Sequence, residues 1–169
     1  MQISNLEDLM QVLVGEHVVA KNIAGNSINL WFVAEPKNER TKRIWIDPPW
    51  RIETQAGIES SSYGFPAGKE DGETDAEYRS RFEKSCSQSD CLKGAKLLAL
   101  TIDQSTSDLT LSFDNGRTLK AFPVDLEYEN WHFNDYAMGK RYGVQVTALM
   151  LRTMTPNNSF KPTPLRGAA

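Results

Sequence analysis

Two stretches of this chain repeat one spacing of apolar residues about eighty positions apart, and that repetition limits the folds open to it. Leu13-Val14-Gly15 is matched by Leu92-Lys93-Gly94, and Ile23 by Ile102, at an offset of 79. Ile28, Leu30 and Phe32 are matched by Leu109, Leu111 and Phe113, and Trp50 by Trp131, at an offset of 81. A nearly constant offset over several anchors marks an internal repeat. Amphipathic meanders also share such cheap patterns by chance, and that alternative stays open here. The repeat predicts two similar helix-plus-meander halves, residues 1–59 and 73–154, packed about a pseudo-twofold axis with one sheet face against the other. A groove between the halves would then be a natural ligand or partner site.

The plainest local signal is the hairpin at Leu109–Phe122. Leu109, Leu111 and Phe113 alternate with polar residues, as a half-buried strand requires. Asn115-Gly116 supplies two residues that tolerate positive φ, the chemistry of a two-residue turn, and Leu119 opens the return strand. Elsewhere, His17–Ile23, Ile28–Phe32, Ile44–Asp47 and Trp50–Glu53 read as strands. The Glu35–Arg43 run reads as a charged loop, and Pro48-Pro49 breaks a strand because neither proline donates to a ladder. Ala95–Ile102, Leu126–Phe133 and Gly143–Met154 are expected to be extended.

Two helices are expected. Ser4 and Glu7 have capping-box spacing, Leu6, Leu9, Met10 and Leu13 share one face, and Gly15 stops the helix. Thr74 and Glu77 repeat that spacing before a helix that carries Tyr78, Phe82 and Cys86, ended by Gly94. Ser60–Gly72 is rich in serine and glycine and reads as a linker or long loop. The fold class is therefore α+β, mainly antiparallel sheet with two helices. One domain spans 1–154, and 155–169 is a flexible C-terminal tail with two prolines and no period.

Function is bounded mostly by exclusion. The net charge of −3 argues against general nucleic-acid binding. No run approaches the ~20 apolar residues of a membrane helix, and the acidic N-terminus lacks a signal peptide's features, so a cytoplasmic location is expected. Cys86 and Cys91 lack the partners of a zinc site and read as free thiols; no metal and no cofactor is expected. Gly64–Lys69 falls one residue short of a phosphate loop, contains Pro66, and is followed by Glu70 where a hydroxyl belongs. No nucleophile elbow is present, and no catalytic residue is assigned.

The remaining candidates are binding residues. Glu127, Tyr128, Glu129, Trp131, Asn134, Asp135 and Tyr136 form an acidic, aromatic segment suited to a protein interface or to self-association. Glu129 and His132 are three apart; on an extended segment they would point to opposite faces. Trp45, Trp50 and Arg51 flank the double proline, either as a packed corner or as a pocket wall. The first expectation is a non-enzymatic protein-binding module working through Glu127, Tyr128, Glu129 and Trp131. The second is a small-molecule binder or small hydrolase with a site between the halves, near Trp50, Arg51, Glu129 and His132.

The tail, Asn157–Ala169, resembles the translated start of an integron cassette recombination site, which implies a bacterial mobile-cassette gene. The Leu109–Phe113, Asn115-Gly116 and Tyr128–Trp131 patterns resemble those of small bacterial immunity-like proteins. That resemblance implies a toxin-neutralising role.

Overall fold

The computed structural model describes residues 3–32, 42–125, 128–136, 138–144, 149–153 and 161–163. Each half is a helix followed by strands. The first half supplies α1 (Ile3–Met10), β1 (Val18–Ala24), β2 (Ser27–Phe32), β3 (Lys42–Ile46), β4 (Trp50–Thr54) and β5 (Gly57–Ser61). The second supplies α2 (Asp75–Gln88), β6 (Leu97–Ile102), β7 (Leu109–Phe113), β8 (Thr118–Ala121), β9 (Trp131–Asp135) and β10 (Lys140–Val144). β11 (Leu149–Thr153) and β12 (Lys161–Thr163) follow. The fold is α+β, and every strand pairing is antiparallel.

The halves do not form separate meanders. One sheet runs β1-β2-β3-β9-β10-β11-β12 and the other β5-β4-β8-β7-β6. Each sheet thus joins the first three strands of one half to later strands of the other. The crossing points are Asp47-Pro48-Pro49, whose Pro48–Pro49 bond is cis, and the connection between β8 and β9. The first half's double proline breaks β3 as its missing donors require.

The hydrogen bonds repeat with the sequence. His17 and Lys96, 79 apart, form an isolated antiparallel bridge with each other. Around it Gly15 N–H donates to the Leu97 carbonyl and its counterpart Gly94 N–H donates to that of Val18, both at 2.8 Å. Val18 N–H to Ala95 O and Leu97 N–H to Glu16 O form the next matched pair, both 2.9 Å. A bulge interrupts β1 between Val18 and Ala20, and another interrupts β6 between Leu97 and Ala99. Trp50 Nε1 donates to Asn26 O at 2.7 Å, and Trp131 Nε1 to Ser107 O at 3.0 Å. Donors and acceptors here differ by 81 positions. This local two-fold relation puts both indoles at equivalent places in one shared core. Each removes roughly 200 Å² from water, on the order of 5 kcal/mol of transfer free energy.

Several local expectations are corrected. The 109–122 hairpin forms, but its loop holds three residues, Asp114, Asn115 and Gly116. Only Gly116 has positive φ, and Gly116 N–H closes a turn onto Phe113 O at 3.2 Å. The Asn115 amide instead donates to Cys91 O at 2.7 Å. α1 starts before Ser4, and Glu7 accepts from Ile102 N–H at 3.0 Å, tying the helix to β6. At α2 the Thr74–Glu77 capping box is complete. Ser60 belongs to β5 rather than to a linker, and β3 begins inside the charged run, at Lys42. Of the tail, 161–163 pair with β11; the remainder of 155–169 lies outside the described residues.

Candidate functional site

Strand alternation gives the first sheet two unlike faces. Ile28, Ile46, Trp131 and Val144 form one row toward the core, and Leu30, Ile44, Phe133 and Tyr142 the next. On the outer face the same register aligns Asn29, Trp45, His132 and Gly143. The neighbouring row is Trp31, Arg43, Asn134 and Arg141. These residues would be solvated on an ordinary outer face. Here His132 is only 4% exposed, Asn29 2% and Asn134 1%.

Arg43 sits at the centre. Its guanidinium carbon lies 5.0 Å from the ring centre of Trp31, 5.2 Å from that of Trp45 and 6.0 Å from that of Tyr136. Such cation–π contacts strengthen as the cation is desolvated. Trp31 and Tyr136 stack at 5.6 Å, and Trp45 and His132 at 5.9 Å. With its amide turned so that oxygen faces the donors, Asn134 accepts from Arg43 Nε at 3.1 Å and from its second terminal nitrogen at 3.0 Å. Trp45 is fixed from its other end, where Nε1 donates to Asp47 at 2.7 Å. Burial lowers the Arg43 pKa, and the like charge of Arg141 lowers it further, against an upward pull from Tyr136. Among the described residues, no carboxylate lies within ion-pair distance of Arg43.

Beside it stands a second, balanced group. Arg141 is bonded to the Glu129 carboxylate and lies 2.9 Å from His132 Nδ1. Arginine has no acceptor, so Nδ1 accepts and the ring proton is on Nε2. Glu129 Oε2 is 3.7 Å from Nδ1. The expectation that Glu129 and His132 point apart therefore fails, because β9 begins only at Trp131 and Glu129 precedes the alternating stretch. Glu129 folds over Gly143: a Cβ there would come within 2.9 Å of Glu129 Cγ and closer still to its carboxyl group.

The sequence candidates scatter. Trp131 and Trp50 are core residues, with their indole N–H groups already used. Tyr128 is 69% exposed, and Glu127 lies outside the described residues. Arg51 stands on the outer face of the second sheet, over Phe122 and bonded to Glu53. It shares a cavity of about 410 Å³ with Lys120, Asp103 and Asp108. There Glu53 serves both cations, Arg51 and Lys120. By register Arg51 is the two-fold counterpart of His132, so the four residues expected around one inter-half site divide between two outer faces and the core.

Sequence reasoning missed Trp31, Arg43 and Arg141. The available signal was that Trp31 and Trp45 fall on the polar phase of their strands, where a tryptophan needs a reason. Comparison of the chain with protein-family models, curated proteins and solved structures returns no match. No helix among the described residues is long and apolar enough to cross a membrane.

Proposed function

We propose that this is a non-catalytic binding protein that takes a protein partner on the outer face of its first sheet. The observation that carries this reading is the difference between two faces built to one plan. The first presents Trp31, Arg43, Trp45 and Tyr136; the matching rows of the second present Thr110, Lys120 and Arg51, then Ser112, Thr118 and Glu53. Tryptophan, tyrosine and arginine are the residue types that dominate interface energetics. Glu129 is paired with Arg141, so Arg43 is the cation on this face with no carboxylate among the described residues. The resemblance of the body to immunity-like proteins extends this reading to a toxin as the partner.

The test is capture from bacterial lysate by the wild type, by a Trp45→Ala/Tyr136→Ala double variant, and by a Thr110→Ala/Thr118→Ala control on the equivalent face. One protein held by the wild type and the control, and lost with the double variant, supports the reading. Equal capture by all three overturns it.

A further inference from the structure

Arg43 is half-buried, and no carboxylate among the described residues neutralises it. Three aromatic rings and one amide oxygen surround it, a second guanidinium stands beyond Asn134, and no described carboxylate is within reach. Even partial removal of a cation from water without a counter-charge has a cost, which an incoming anion would offset. The balanced cations Arg51, Lys120, Arg117 and Arg81 each have their carboxylate. A second observation points the same way. Asn29 is 2% exposed, and neither its Nδ2 nor its Oδ1 has a hydrogen-bond partner. It lies on the same face, diagonal to Arg43 across the β2–β3 pair, where Cβ atoms are roughly 7 Å apart. A buried donor left unmade costs about 1–3 kcal/mol. One oxyanion placed between them would accept from both.

We propose that Arg43, walled by Trp31, Trp45 and Tyr136 and assisted by the Asn29 amide, is an oxyanion site that receives a carboxylate side chain from an acidic segment of the partner. This rests on the reading of the outer face as a protein-binding surface. The guanidinium fork suits a carboxylate better than a point charge does, and the indole walls exclude the water that would weaken the contact.

Trp31 and Trp45 flank the site, so the full chain's tryptophan fluorescence reports on it. The probes are a glutamate-rich decapeptide, glutarate and inorganic phosphate, titrated at 0.05 M and 0.3 M salt. The peptide is expected to give a saturable change that survives 0.3 M salt, with glutarate weaker. Arg43→Gln is expected to weaken peptide binding by at least roughly tenfold, the loss of a charged hydrogen bond. Arg51→Gln, on the opposite face, is expected to leave it unchanged. If Arg43→Gln does not fold, as judged by its melting curve, Arg43→Lys carries the test; it keeps the charge, loses the fork, and is expected to bind several-fold more weakly.

A response to phosphate alone overturns the carboxylate assignment. So does peptide binding that vanishes at 0.3 M salt, that falls equally in Arg51→Gln, or that is unaffected in Arg43→Lys. If no probe binds while Trp45→Ala/Tyr136→Ala still abolishes partner capture, the oxyanion site is wrong and the binding face stands. If the peptide binds and no partner depends on that face, the converse holds.

Discussion

Gly143 offers the sharpest test of the outer-face geometry. Its backbone is ordinary extended strand, so no left-handed conformation demands glycine there. What demands it is the Glu129 side chain lying across the strand, in the volume a Cβ would fill. Alanine must push Glu129 away from Arg141 and His132. Glu129 is 8% exposed and Arg141 16%, so the displaced pair loses a charge-assisted bond worth about 1.5–3 kcal/mol. Against this, alanine gains roughly 0.5–1 kcal/mol over glycine in an element interior. The expected net cost of Gly143→Ala is therefore about 1–2 kcal/mol, roughly 2–8 °C in Tm for a chain of this size. The decisive assay is a double-mutant cycle by urea unfolding. In a Glu129→Ala background the obstructing side chain is gone, and Gly143→Ala should become neutral or stabilising. Equal costs in both backgrounds would refute the argument, since the penalty would then not pass through Glu129.

Three further outcomes are expected. Lys21, whose ammonium donates to Cys86 O at 2.7 Å and Ser89 Oγ at 2.9 Å and pairs with Asp90, ties β1 to the end of α2; Lys21→Met should cost about 1–3 kcal/mol, and an unchanged urea midpoint would contradict this. Gly116→Val should lower stability by about 1–2 kcal/mol, because φ of 77° crowds a β-branched side chain; a neutral result would mean that the three-residue loop is misassigned. The Ser105 hydroxyl, then the amides of Thr106 and Ser105, hold Asp103 at about 2, below its usual 3.8. A depressed folded pKa gives stability that is present above the unfolded value and lost as pH falls. Asp103→Asn should therefore lower Tm at pH 7, with the difference closing between about pH 4 and pH 2; a gap unchanged across that window would contradict the turn geometry.

Much of the fold was legible because it rests on short-range patterns. Leu109, Leu111 and Phe113 alternate and form β7; Thr74 and Glu77 cap α2; Trp50 and Trp131 match across the repeat and make matching hydrogen bonds. The exchange of strands between sheets was not legible, because Ile44 and Ile46 fit a ladder beside β9 as well as one within their own half, and only tertiary packing decides. β5 was hidden by Ser60 and Ser61, whose polarity suits an edge strand as well as a loop. The candidate site was less legible still. Glu129 and His132 were found as a pair but given opposite directions, since the start of β9 decides their relation and strand boundaries are the weakest inference from sequence. Arg43 hid in a charged run, where nothing local distinguishes a caged guanidinium from a solvated one.

On the proposed binding face a partner meets Trp31 and Trp45 and not the other two indoles. The chain has four tryptophans: two beside Arg43, and two in the core with their N–H groups bonded to Asn26 O and Ser107 O. Nitrogen-15 tryptophan labelling gives one indole resonance for each. On addition of the captured partner, the resonances of Trp31 and Trp45 should move while those of Trp50 and Trp131 stay fixed. Shifts confined to Trp50 and Trp131, or no shift at any indole on saturation, would contradict the account.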